Sequence, residues 1–507
     1  MRLALLGGVS LAILATTPAL AEQPVSNAAI VARLNALEAK VDALEARNSD
    51  LEHQLADQKA AAAAAPPLAP APTAVASAAY PGAAAGGTQL LPSASSGGAD
   101  TAKTGAKVAQ ATTWTIVPQF NSPDGNFTFK PRGMLEVDYA GYDERKGGYK
   151  FNNGTEIRRG RFGFDGTLYK QFAWRLEGEW VDNKANLLDA YVAYTGVKNF
   201  ALTLGQLKVP AGLEADSSDA FNEFLERGMA NTAFGAVGGE RRVGATFAYA
   251  DRLITATAGL YGAGEAVDRN ATTPGEVWGY NGRVTIEPIN QPGRLIHLGA
   301  SAYHTQNFAA NSVTLADRPN VRVDGGFLES VAIAGTKNAT TGVQTGVKGA
   351  TFYGLEGAGV LGPVSVQGEY SHMHLDRFGT AASLDFDGYY VFGSVFLTGE
   401  SRSFKGGLID RLRPIRTFDP TKGNWGAIEL AARYDRINLT DHDLSPLDHD
   451  GHAWTAALNW YLTGNVKLMF NYIRFEGANS PLVSTPVTIY GTTAKGDAFA
   501  TRLHLDF

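Results

Sequence analysis

There is no cysteine among the 507 residues, which excludes disulfides and thiolate metal sites outright. Also missing is any apolar run of about 20 residues, the length a membrane-spanning helix requires. The nearest approach, Leu3 to Ala15, follows the basic start Met1-Arg2 and precedes Ala19-Leu20-Ala21. A short apolar run before a small-x-small pattern predicts a secretory signal peptide, removed after Ala21. Nor does one sign of charge prevail. Lys and Arg total 44 and Asp and Glu total 50; seven and eight of these precede residue 112, leaving 37 against 42 beyond it. A near-neutral balance of that kind supplies no strong field for a polyanion, and no nucleic-acid partner is expected.

What is present falls into three compositions. Residues 27–58 carry Ile30, Leu34, Leu37, Val41, Leu44, Leu51 and Leu55 at alternating spacings of four and three, with Asn48 as the polar core position. This heptad spacing predicts a short coiled coil, in which a buried Asn fixes register. A single amphipathic helix lying on a surface fits the same pattern. Residues 59–111 are rich in Ala, Pro, Gly and Ser, as in Ala60 to Ala65 and Pro70-Ala71-Pro72, and read as a linker that buries no core.

From 112 onward the apolar residues alternate with polar ones. At the end of the chain, Phe499, Thr501, Leu503, Leu505 and Phe507 share one face of a strand, and Ala500, Arg502, His504 and Asp506 the other. In 172–180, Phe172, Trp174, Leu176 and Trp180 oppose Arg175, Glu177 and Glu179. In 428–435, Ile428, Leu430, Ala432 and Tyr434 oppose Glu429, Arg433 and Asp435. A soluble sandwich alternates too. Two features favour a transmembrane barrel: aromatic residues near the segment ends, where interfacial girdles sit, and both signs of charge on nearly every polar face, as a wet lumen allows. The expected fold class is therefore all-β, a transmembrane antiparallel β-barrel of about sixteen strands over 112–507, preceded by the coiled coil.

Sixteen segments of this kind start near 130, 155, 172, 185, 200, 239, 253, 277, 294, 348, 364, 384, 425, 451, 466 and 496. Their connections mostly alternate between short and long, as in outer-membrane barrels. The stretch 399–424 breaks the alternation. It falls on the short-turn side yet is long and basic, with Arg402, Lys405, Arg411, Arg413 and Arg416. Either the strand count fails there or a periplasmic loop is present.

Several blocks make a resemblance specific. Glu156-Ile157-Arg158-Arg159-Gly160-Arg161-Phe162-Gly163-Phe164-Asp165-Gly166-Thr167-Leu168-Tyr169, Leu202-Thr203-Leu204-Gly205-Gln206-Leu207-Lys208-Val209-Pro210 and Phe224-Leu225-Glu226-Arg227 are three of them. Glu429-Leu430-Ala431-Ala432-Arg433-Tyr434 and Leu458-Asn459-Trp460-Tyr461-Leu462 are two more. Spread in order over 130–507, these blocks resemble the phosphate-selective porin O and P family. The resemblance implies a sixteen-stranded barrel, usually trimeric, whose third loop folds inward as the constriction.

For selectivity the residues pull in two directions. The third loop, 211–238, holds Glu214, Asp216, Asp219, Glu223 and Glu226 against Arg227 alone, and Asp219 stands where the family pattern tends to place a basic or neutral residue. Asp219, Glu223, Glu226 and Arg227 are the expected constriction residues. Against them, Arg159, Arg161, Arg175, Lys208, Arg242, Arg283, Arg433 and Arg502 take the lumen phase as candidate pore-lining cations. Two readings stand: a basic ladder on one wall, or wall residues paired with Glu177, Glu179, Glu429 and Asp435. Asp441-His442-Asp443 and Asp448-His449-Asp450-Gly451-His452 have the residue types to hold a divalent metal, but the preferred reading is an acidic, solvated extracellular loop. No nucleophile, base and orienting carboxylate come together, so no enzyme, metal or cofactor is expected. The reading is a porin in the bacterial outer membrane for passive diffusion of small hydrophilic solutes and ions, with the coil in the periplasm. A phosphate- or polyphosphate-selective channel for inorganic anions and an envelope-tethering protein are the alternatives. Expected partners are outer-membrane lipid, two further copies in a homotrimer, and peptidoglycan or another envelope contact through the coil.

Overall fold

The computed structural model describes residues 111–114, 117–264, 277–484 and 492–507, apart from 236, 238, 307, 309, 310 and 339. The signal peptide, the coil and the linker up to residue 110 lie outside the described residues. The sixteen barrel strands are, first, β1 Thr128–Lys146, β2 Gly154–Leu168, β3 Phe172–Val181, β4 Lys184–Tyr194 and β5 Phe200–Lys208. Then come β6 Arg241–Ala250, β7 Ile254–Tyr261, β8 Trp278–Gln291, β9 Arg294–Gln306, β10 Val347–Leu361 and β11 Val364–Arg377. The last are β12 Leu384–Phe396, β13 Ala427–Asn438, β14 Asp450–Tyr461, β15 Val466–Ala478 and β16 Thr493–Asp506.

Each strand pairs antiparallel with the next, and β16 returns to β1 in the register Phe499↔Gly141 and Leu505↔Leu135, so the sheet closes on itself. A small hairpin, Ala111–Trp114 with Pro118–Asn121, continues from β1 through Phe120↔Phe129. Closure satisfies every edge, which a bilayer demands of backbone polar groups. Among the described residues no helix is long and apolar enough to cross a membrane.

The side chains are inverted relative to a soluble sheet. On β16, Arg502, His504 and Asp506 are buried while Phe499, Leu503 and Leu505 are exposed. Leu176, Trp180, Leu204, Phe247, Leu355, Val366 and Trp454 are likewise exposed on the outside. Left in water, such side chains would each forgo about 1.5–3 kcal/mol of burial free energy. Lipid outside and ionic groups inside is the arrangement that satisfies both faces.

Strand length is uneven. β3 to β7 have 8 to 11 residues, against 12 to 19 elsewhere. At the long-loop end of this low wall, Asp182 and Asn183 both have positive φ (54° and 57°) and close the β3–β4 hairpin with two residues. The strand count of sixteen holds, so the segment between Phe396 and Ala427 is a loop at the short-turn end.

Candidate pore constriction

The loop between β5 and β6 enters the lumen. Pro210 ends the strand, and its carbonyl accepts from Asn281 Nδ2 at 2.8 Å. Gly212 then takes φ 124°, and a Cβ there would lie 2.5 Å from Glu369 Oε2. The bare backbone lets the Leu213 and Glu214 amides donate to the two Glu369 oxygens at 3.0 and 2.8 Å, at the start of the short helix Leu213–Asp216. Ser218 caps the turn Asp219–Phe221 by accepting from Ala220 N at 3.2 Å. The helix Met229–Gly235 follows, its Met229 and Phe234 packed in the apolar cluster that holds Leu315, Phe386 and Ile437.

A loop inside a barrel must find partners for its own carbonyls. Here the wall supplies them. The carbonyls of Ala215, Asn222 and Leu225 accept from Lys208 at 3.0 Å, Lys467 at 2.7 Å and Arg502 at 2.5 Å. Those of Glu223 and Glu226 accept from Asn459 and Arg433, both at 2.9 Å. Arg433 also lies over the Phe224 ring at 4.5 Å. The loop is thereby fixed across the lumen by the side chains that alternation turned inward.

Between the loop and the wall of β2 to β6 remains a cavity of about 260 Å³. Seven cationic side chains line it, Arg158, Arg159, Arg161, Lys208, Arg227, Arg241 and Arg242, against the acidic Glu179, Asp219, Glu226 and Glu240. Asp219 is buried and meets Arg227 at 2.6 Å, Arg161 at 2.8 Å and Arg159 at 3.3 Å. Burial alone would raise its carboxyl, but Arg159, Arg227 and Arg161 outweigh that and hold it well below the usual range. Glu226 behaves the same way: against burial, Arg158 at 2.7 Å and Arg502 at 3.0 Å keep it ionised to low pH.

Glu223 differs. Burial pushes its carboxyl up to about 7; Arg402 opposes the rise and Glu429 adds to it. Arg402 belongs to the loop from the opposite end, 397–426, which also folds inward. It bonds Glu223 at 2.8 Å, Glu429 at 2.9 Å and the Phe221 carbonyl at 3.1 Å. Ile409 N donates to Ser217 Oγ at 3.1 Å, the Gly407 carbonyl accepts from Arg283 at 2.8 Å, and Arg411 pairs with Asp506. The two loops therefore touch inside the barrel.

The sequence-predicted residues are divided by this geometry. Arg159, Arg161, Lys208, Arg242, Asp219, Glu226 and Arg227 come together on the cavity. Arg175, Arg283, Arg433, Arg502 and Glu223 do not line it. Arg175 pairs with Asp165 at 2.8 Å, and Arg283 with Glu356 at 2.5 Å. Arg433 and Arg502 hold the loop, and Glu223 faces Arg402. Glu179 meets Arg161 at 2.8 Å and Glu177 meets Arg132 at 2.9 Å, while Glu429 is taken by Arg402, a partner alternation did not suggest. Arg158, Glu240 and Arg241 also line the cavity and carry no lumen phase in the sequence. A register shift between Glu136 and Val137 breaks the alternation on β2. Arg158 and Arg159 consequently both reach inward, Arg158 to Glu226 and Arg159 to Glu136 at 2.5 Å. Such bulges leave no pattern in the residue types.

The His- and Asp-rich loop disperses. Asp441 accepts from Asp385 N and Asp443 N, Asp450 pairs with Arg436, and His449 faces Glu329 at 3.6 Å. Among the described residues no group of three or more metal-ligating side chains converges.

A closed antiparallel barrel of sixteen strands, apolar outside and ionic within, is an outer-membrane channel. Residues 129–507 match the family described as Phosphate-selective porin O and P, and the chain belongs to that family. Porin O of Pseudomonas aeruginosa is 27% identical over 418 residues, covering 76% of this chain and 89% of that one. An uncharacterised protein of Caulobacter vibrioides is 29% identical over 412 residues, 78% of this chain and 77% of the other. Similar solved structures include the trimer form of OmpT, an outer-membrane protein of Vibrio cholerae, at 12% identity and TM-score 0.48, covering 75% of this chain and 99% of that one. Another is an anion-selective porin from Comamonas acidovorans, at 14% identity and TM-score 0.46, covering 75% and 100%.

Proposed function

We propose that this channel favours small inorganic anions, with phosphate in the class it admits. One observation carries the reading: the lining of the cavity beside the inward loop has seven cationic side chains and four acidic ones, an excess of three positive charges that Glu136 and Asp189, paired with Arg159 and Arg241 from behind, offset in part. In a narrow, low-dielectric passage such an excess attracts anions and repels cations, and guanidinium donors replace part of a lost hydration shell. The acidic residues of the loop do not reverse the balance, because Asp219 and Glu226 are each bonded to two or more arginines. The family's phosphate selectivity agrees in sign. A channel of weak selectivity for small hydrophilic solutes is the second reading, favoured by the near-neutral charge of the whole barrel segment.

The working assembly in this proposal is a homotrimer in the outer membrane. Its support is the family and the low outer wall of β3 to β7, with Leu176, Trp180, Leu204 and Phe247 exposed. The heptads at 30–55 then form a periplasmic stalk, with the linker as its tether and an envelope polymer such as peptidoglycan as its contact. Three amino termini held close together favour such a coil through effective concentration. Substituting a bulky anion for chloride, and separately a bulky cation for potassium, tests the selectivity in planar bilayers. The anion exchange should lower conductance far more than the cation exchange; the opposite order would reject the reading.

A further inference from the structure

We propose that Asp219 is a tethered occupant of the anion site: its carboxylate fills the clamp of Arg159, Arg161 and Arg227, and inorganic phosphate binds there only by displacing it. This rests on the anion-channel reading above. Three guanidiniums converge on one carboxylate, Arg227 on Oδ1 at 2.6 Å and Arg161 and Arg159 on Oδ2 at 2.8 and 3.3 Å. A carboxylate offers this cluster two oxygens, both in one plane. Arg159 reaches Asp219 only through its Nε, at 3.3 Å and without a hydrogen bond, and the buried Nε of Arg227 makes no hydrogen bond. A tetrahedral oxyanion has four oxygens and matches the surplus donors better.

The clamp does not depend on Asp219 for its shape. Behind each arginine stands a second carboxylate: Glu136 on Arg159 at 2.5 Å, Glu179 on Arg161 at 2.8 Å and Glu240 on Arg227 at 3.0 Å. Asp219 is therefore redundant as an orienting partner. It sits on a three-residue turn that opens on the cavity, so turning its side chain away vacates the clamp without unfolding a helix or strand. A site whose competent form is only partly populated binds its ligand more weakly in proportion to that fraction. The consequence is a channel that passes anions but is not saturated by low phosphate.

The test is inhibition of single-channel chloride current by inorganic phosphate, in the full-length protein and in Asp219→Asn, Asp219→Ser and Asp219→Glu. Asn and Ser remove the competing charge and should lower the half-inhibiting phosphate concentration about tenfold, as for a clamp vacant about one tenth of the time in the parent. Glu keeps the charge and should remain at the parental value. Equal phosphate inhibition in all four proteins, or weaker inhibition in Asn and Ser, overturns the proposal while leaving an anion-selective channel standing. Cation selectivity in all four would instead reject the anion-channel reading itself. Failure of both Asn and Ser to assemble into barrels would make Asp219 a structural anchor, and that too contradicts the proposal.

Discussion

Arg402 and Glu223 meet at 2.8 Å in the interior of the barrel, although one comes from the loop at the short-turn end and the other from the loop at the long-loop end. Through this pair, and through the Glu429 carboxylate that Arg402 also grips, the constricting loop is fastened from both sides. In the channel proposed above, the two loops together set the width of the passage.

Removing Arg402 should loosen that fastening. Arg402→Met strips the partner from two buried carboxylates, and breaking a buried pair costs roughly 3–5 kcal/mol. The barrel wall should survive, because its ladders do not involve this residue. Single-channel records should show larger or noisier current than the parent. Quiet parental conductance in the variant would mean that the loop is held without Arg402.

The same pair predicts a pH dependence. Burial raises the Glu223 carboxyl to about 7, so the docked loop binds this proton more tightly than an undocked loop would. Docking is thus most favoured below the ordinary Glu value near 4.3, and the advantage is lost as pH rises through about 7. Hydrogen exchange of the loop amides, corrected for the intrinsic rate, should reveal more opening at about pH 8 than at about pH 5. Glu223→Gln should flatten the difference. A dependence that persists in that variant would assign it to another group.

Charge in the cavity gives a third expectation. Arg158→Gln with Arg241→Gln removes two of the seven lining cations while Arg159, Arg161 and Arg227 stay in place around Asp219. Anion preference should fall toward neutrality while conductance stays within about twofold. Undiminished preference would place the selectivity filter elsewhere in the lumen.

The segment ahead of the barrel should matter for assembly and not for permeation. Deleting 22–110 removes the heptads and leaves the hairpin that begins at Ala111. Conductance per channel should be unchanged, whereas resistance of the trimer to dissociation in detergent should drop. A smaller conductance would show that the segment reaches the pore.

Much of the wall was legible because strand alternation is a local property. The sixteen expected starts fall within three residues of the observed ones, from Thr128 to Thr493. The inward phase of Arg159, Arg161, Lys208 and Arg502 followed from the same rule. Two things escaped it. The bulge opposite Glu136 turned Arg158 inward, and no residue type marks such a shift. The paths of the two inward loops depend on contacts such as Arg402 with Glu223, 179 positions apart in the chain, which periodicity does not encode. The loop at 397–426 announced itself only by length and basic charge in the wrong place. For the same reason the acidity of the 211–238 loop was visible, but not that two arginines of β2 and one of the loop itself would claim Asp219.

In the proposed channel, passage is governed by the cationic excess beside the inward loop. The zero-current potential across a bilayer in a KCl gradient tests it most directly, since its sign reports which ion carries the current. The potential should have the sign set by chloride and should move toward zero in the Arg158→Gln, Arg241→Gln double variant. A potential of the potassium sign in the parent protein would contradict it.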